Sequence, residues 1–162
     1  MATLHSYSAL WNAYPDYGNY PTPDSVKVLV GGGANDDWIV NTCAIRMSRT
    51  LNYNGLPIPG NFAGLHTVKG GDGKRYAFRV RELHAWLDHV LGAPDFDTSK
   101  KQGDAFDKSQ LASMKGVIGF DIHFADATGH FDLWDGSTFS HEAQASQDYW
   151  TMATRIWLWA AD

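Results

Sequence analysis

A change of hydrophobic period about two thirds of the way along the chain restricts the fold most. GVIGFDIHFADATGHFDLWDGSTF, Gly116 to Phe139, alternates over two runs separated by ADATG, the period-2 pattern of an antiparallel strand pair. The closing TRIWLWAAD reads as a third strand. Upstream the spacing is helical. RVRELHAWLDHVLG places Val80, Leu83, Leu87, Val90 and Leu91 on one stripe and stops at Gly92, which predicts an amphipathic helix. Helices that lead and strands that follow give an α+β class, with the helices packed on one face of a small antiparallel sheet.

Two more helices are predicted near the N-terminus. SYSALWNAYP, Ser6 to Pro15, has a serine cap and ends at proline. In NTCAIRMSRTLNYNG, Asn41 or Thr42 can cap, Ile45, Met47 and Leu51 follow at helical spacing, and Gly55 is the stop. SVKVLVGGG is a brief apolar segment closed by glycines, LPIPGNFAGLHTVKGGDGKRYAFRV a long loop with at most a hairpin about GGDG, and PDFDTSKKQGDAFDKSQ a polar loop.

No internal repeat or long linker divides the 162 residues, so residues 1–162 are expected to form one domain. A formal charge of −5 gives no electrostatic reason to bind nucleic acid or an anionic membrane. No run of eighteen apolar residues occurs, and MATLHSYSALWNAYP lacks the basic and apolar regions of a secretory signal. The chain is therefore expected to be made in the cytoplasm and to leave, if it leaves, by another route. Its single cysteine, Cys43, cannot staple the fold to itself.

Cys43 falls at the start of a predicted helix, among unpaired backbone N–H groups and the positive end of the helix dipole, both of which favour a thiolate. His130, at the start of a predicted strand, is a candidate general base. Taken alone, a single cysteine is more often a small hydrophobe than a nucleophile. Asp121 with His123 and His130 with Asp132 could in principle make a four-ligand metal site, but no recognised zinc spacing occurs and no metal or cofactor is expected. GGG and GGDGK lack the serine or threonine of a phosphate loop. His84 and His89 are expected on a helix surface. Tyr14, Tyr17, Tyr20, Trp157 and Trp159 offer a rival reading, a non-catalytic peptidoglycan- or carbohydrate-binding module with an aromatic-lined groove.

NTCAIRMSRTLNYNG followed 87 residues later by GHFDLWDG, counting from Cys43 to His130, resembles the type VI secretion amidase effectors of family four. The resemblance implies a papain-like cysteine peptidase related to NlpC-type enzymes, cutting peptidoglycan stem peptide between D-glutamate and meso-diaminopimelate. It matches Cys43 to the nucleophile and His130 to the base. It also implies delivery by type VI secretion machinery into a target bacterium's periplasm, and a cognate immunity protein that blocks the cleft. Backbone N–H groups at the cysteine helix, Cys43's own included, would then steady the oxyanion. Arg46, Arg49 or loop lysines would rim the substrate groove.

Three residues compete to orient His130. The family's pattern has an aspartate eleven residues after the histidine, a place held here by His141, and Phe139 and Ala143 stand where a flanking cysteine pair is expected. Histidine fills this role in the wider NlpC-type group, and an imidazole nitrogen can accept the Nδ1–H bond that fixes the base's tautomer. After the turn WDGST a returning strand would bring His141 within about 4.5–5.5 Å of His130. Asp132 lies two residues on along the same strand, about 6–7 Å away, out of easy reach of the ring. Asp135, before Gly136, shapes a turn. The expected set is therefore Cys43, His130 and His141.

Overall fold

A computed structural model describes residues 1–124 and 127–162; residues 125 and 126, in the expected ADATG turn, lie outside the described residues. Three α-helices and one short 3-10 helix (Gly32–Asn35) precede the first strand. Helix α1 (Tyr7–Ala13) is capped by Ser6, whose Oγ accepts from the Ala9 N–H at 3.3 Å, and the chain is extended again at Tyr14, before Pro15. Helix α2 (Pro23–Val30) occupies the segment expected only to be apolar. Its signal was local, since Thr22 and Ser25 form a reciprocal capping box around Pro23 at the first helical position, and Gly31, at φ 69°, ends it. Helix α3 (Cys43–Asn52) follows as expected, and all its residues but Arg49 are buried.

Strands β1 (Thr67–Lys69) and β2 (Arg75–Ala77) make the hairpin expected about GGDG. Helix α4 (Val80–Leu91) stops at Gly92, which takes φ 80°. Strand β3 (Phe96–Ser99) lies in what read as a polar loop. It is an outer strand with alternate residues exposed, so it lacks the apolar run that marks a central one. Strands β4 (Gly116–Asp121), β5 (Gly129–Trp134) and β6 (Arg155–Ala160), with the one-turn helix α5 (Tyr149–Met152) before β6, complete the elements used below.

The larger sheet has the order β3-β6-β4-β5, antiparallel throughout. Because successive side chains alternate between faces, Val117, Phe131, Leu133, Trp157 and Trp159 meet α3 and α4 through Cys43, Met47, Leu51, Leu83 and Leu87. Ile118, Phe120, Trp134, Ile156 and Leu158 form a second core with Leu111, Phe139, Tyr149 and Trp150. The α+β class holds, but helices cover more than one face, since α5 and the segment before it close the second. His130 and Asp132 pair across the ladder with Phe120 and Ile118 and so lie on that second face. Among the described residues no helix is long and apolar enough to cross a membrane.

Arg46, expected at a groove rim, is fully buried. Its guanidinium donates to the Pro15 carbonyl at 2.8 Å, to Thr22 O at 3.5 Å and to Thr42 Oγ1 at 3.3 Å, and lies 3.7 Å over the Tyr17 ring. It therefore ties the segment between α1 and α2 to the start of α3. Arg46→Met is expected to destabilise the fold by about 3 kcal/mol, because buried carbonyls lose a charged donor and Tyr17 its cation. Urea denaturation measures this as a lowered midpoint at unchanged slope.

Candidate active site

Helix α3 begins where β5 begins. Cys43 is its first residue, and the thiol donates to the carbonyl of Gly129 at 3.8 Å. Gly129 has to be glycine, since a Cβ there would lie 2.4 Å from the Phe120 carbonyl oxygen. The next residue, His130, is 3% exposed and hydrogen-bonds through Nε2 to Asp132 Oδ2 at 2.8 Å. The Cys43 side chain also acts on the His130 ring. Burial alone would lower the imidazole pKa, but the bonds to Asp132 and Cys43 prevail and raise it to about 9. At neutral pH the ring is an imidazolium held by the Asp132 carboxylate.

Asp132 is completely buried and is held from several directions. Tyr14 Oη donates to Oδ1 at 3.0 Å, and the backbone N–H groups of Leu133, Ser140 and His141 donate at 2.8, 3.0 and 3.1 Å. With His130, these bonds fix both carboxylate oxygens. Burial, and then the negative charge of Asp132, raise the Tyr14 phenol pKa; burial, and then Cys43, raise that of Tyr17. Both phenols stay neutral beside the acid and the thiol.

Two clefts meet at Asn41, two residues ahead of Cys43. One, of about 200 Å³, is lined by Tyr17, Asn41, Arg46, His130, His141 and Tyr149. The other, of about 340 Å³, is lined by Asn41, Phe78, Arg79, Arg81, Glu82 and Thr128, among others. Asn41 Oδ1 accepts the Cys43 N–H at 3.1 Å. The expected oxyanion donor is therefore already occupied in the free protein, a contact that the helix-cap reading of Asn41 only partly anticipates.

Residues 39–159 match the model of the type VI secretion system (T6SS) amidase effector protein 4 family, Tae4. The chain belongs to the Tae4 family. It is 33% identical to the effector in the Tae4–Tai4 effector–immunity complex of Enterobacter cloacae, covering 100% of both chains with a TM-score of 0.82. Similarity to the Tae4/Tai4 system of Salmonella typhimurium is 27% identity over 98% of this chain and 99% of that one, TM-score 0.82. The E. cloacae Tae4 effector solved without its partner gives 31% identity, 99% and 100% coverage, and TM-score 0.80. Among curated proteins none matches. As a Tae4 member the chain is a T6SS amidase effector, a cell-wall hydrolase and antibacterial toxin of the kind found in effector–immunity pairs.

Within this Tae4 amidase the structure departs from the sequence reading at the third residue. His130 pairs with Asp132 and not with His141, and it does so through Nε2. Two residues along a strand separate the Cβ atoms, but side chains lean along the strand, and a histidine and an aspartate together span the gap. His141 misses its expected place because the ladder ends at the isolated Trp134–Phe139 bridge, after which the chain turns away. Its ring stacks on Tyr17 at 4.1 Å and stands 5.7 Å from the His130 ring, while its Nδ1 is buried without a hydrogen-bond partner among the described residues. Burial, then the charge of His130, hold its pKa down at about 4, so it is neutral. Asp135 shapes the turn, its Oδ1 accepting from Ser137 and Thr138.

The remaining candidates separate cleanly. His123 is exposed past the end of β4 while His130 and Asp132 are buried, so the four residues considered for a metal do not converge. Tyr14, Tyr17, Trp157 and Trp159 are buried in the core beside α3 and α4 and Tyr20 is half-buried, which leaves the aromatic-groove reading without its exposed platform. His84 is not a surface residue: it is buried and stacked on Trp157 at 4.2 Å.

Proposed function

We propose that this amidase hydrolyses the D-glutamyl to meso-diaminopimelate amide of peptidoglycan stem peptides, with Cys43 as nucleophile, His130 as acid and base, and Asp132 as the residue that orients His130. The observation that carries this is the buried run from thiol to imidazole to carboxylate at the meeting point of two clefts. The thiolate attacks the amide carbon, and the oxyanion takes the Cys43 N–H as the Asn41 side chain gives it up. The His130 imidazolium passes its proton to the departing diaminopimelate nitrogen as the C–N bond breaks. Neutral His130 then takes a proton from water as the water oxygen attacks the thioester; the C–S bond breaks, the glutamyl carboxyl group is freed and the thiolate–imidazolium pair is restored. A type VI apparatus delivers the protein to the periplasm of a target cell, and an immunity protein that fills the clefts protects kin.

Mass spectrometry of purified muropeptides tests the reaction. Incubation with the protein is expected to release a fragment ending in the glutamyl carboxylate and one beginning with a free diaminopimelate amine, together heavier than the substrate by one water. Cleavage at any other amide removes the assignment of the bond, and intact muropeptides remove the reaction.

A further inference from the structure

The larger cleft carries a cation that forms no ion pair among the described residues. Arg79 and Glu82 both line it, and they cancel: Arg79 Nη1 donates to Glu82 Oε2 at 3.0 Å, while the His66 N–H holds Oε1 at 2.8 Å. Arg79 is further fixed over the Phe78 ring at 5.2 Å. Arg81 lines the same cleft, is exposed, and among the described residues forms no ion pair. In a chain of net charge −5, a guanidinium without an ion pair among the described residues, facing a cavity one wall of which is Asn41, two residues from Cys43, marks a site for an anionic group on whatever lies across Cys43. A guanidinium recognises a planar carboxylate through two parallel N–H donors.

Resting on the stem-peptide reading above, we infer that Arg81 binds a free carboxylate of the substrate in this cleft and so makes the enzyme discriminate against amidated peptidoglycan. The scissile bond has such groups on both sides. A γ-linked glutamate keeps its α-carboxylate, and diaminopimelate within a tetrapeptide stem keeps the one carboxylate at its side-chain centre. Amidation removes the charge and half of the acceptor pair without changing the size of the group, so it isolates this contact. Arg79 serves as a wall, since its charge is paired with Glu82 through Nη1 and its guanidinium lies over Phe78.

Binding to the inactive Cys43→Ala protein tests this without depending on turnover. Titration calorimetry would use a tetrapeptide stem with all carboxylates free, one amidated at the D-glutamate α-carboxyl, and one amidated at diaminopimelate. One of the amidated peptides is expected to bind about tenfold more weakly than the free acid, and which one tells which carboxylate Arg81 holds. Adding Arg81→Gln is expected to weaken the free acid by the same factor and to leave that amidated peptide unchanged. In the active protein Arg81→Gln should raise KM for the free acid with kcat within about twofold. Equal weakening of all three peptides by Arg81→Gln, or none, overturns the assignment. Cleavage at a different bond would instead fail the functional reading while leaving the binding ratios to be read.

Discussion

Cys43→Ala is expected to leave muropeptides uncut while the protein stays folded. The thiol forms the only covalent link the mechanism needs, so its loss should remove at least the several orders of magnitude that a nucleophile contributes, down to background. Stability should fall by only about 1 kcal/mol, because the side chain, though 2% exposed, contributes one sulfur to a core built from much larger groups. Urea denaturation and the muropeptide assay, run on one preparation, separate the two effects. His130→Ala supplies the companion measurement. With the ring gone, Cys43 loses the neighbouring base proposed to take its proton, and its alkylation near neutral pH should slow. Wild-type hydrolysis by Cys43→Ala would end the cysteine mechanism, and an unchanged alkylation rate in His130→Ala would separate the two side chains.

Local patterns offered Cys43 and His130 as candidates, and the family resemblance of their two blocks singled them out as the proposed nucleophile and base. Cys43 stands where a cap candidate meets a helical run, and His130 where an alternating run begins, so each position follows from a few neighbours. The ends of α4 at Gly92 and of α1 before Pro15 were legible for the same reason. What escaped depends on contacts across the chain. Asp132 is completed by Tyr14 from α1's end and by the N–H groups of Ser140 and His141, residues whose positions follow only once the turn after β5 is built. Arg46 looked like a groove cation because arginine is usually exposed. Only the arrangement of the Pro15 and Thr22 carbonyls around it explains its burial. His84 was misread likewise, since its stacking partner, Trp157, is a strand residue from the end of the chain.

The carboxylate beside His130 carries the other large expected effect. Asp132→Ala would strand the buried Tyr14 hydroxyl, three backbone N–H groups and an unpaired imidazole, at a cost of about 3–5 kcal/mol. Loss of activity in that variant could then reflect unfolding alone. Asp132→Asn keeps the shape and one acceptor oxygen, so it is the informative change. Its kcat is expected to fall about 10³-fold or more, because the ring loses the partner that sets its orientation and tautomer. The pH profile adds a readout that misfolding would not mimic. Asp132 helps to raise the His130 pKa to about 9, so its charge is one reason the imidazolium persists above neutrality. Stability from this pairing is full below the ordinary histidine pKa and is lost as pH rises through about 9. In Asp132→Asn the alkaline limb of kcat/KM should therefore move toward neutral pH. His141→Ala keeps the backbone N–H that holds Asp132 and removes only a neutral ring stacked on Tyr17, so it should stay within about tenfold of wild type with its alkaline limb in place. The reverse pattern, a dead His141→Ala beside an active Asp132→Asn with an unmoved limb, would return the orienting role to His141 and leave Asp132 as a brace for the turn.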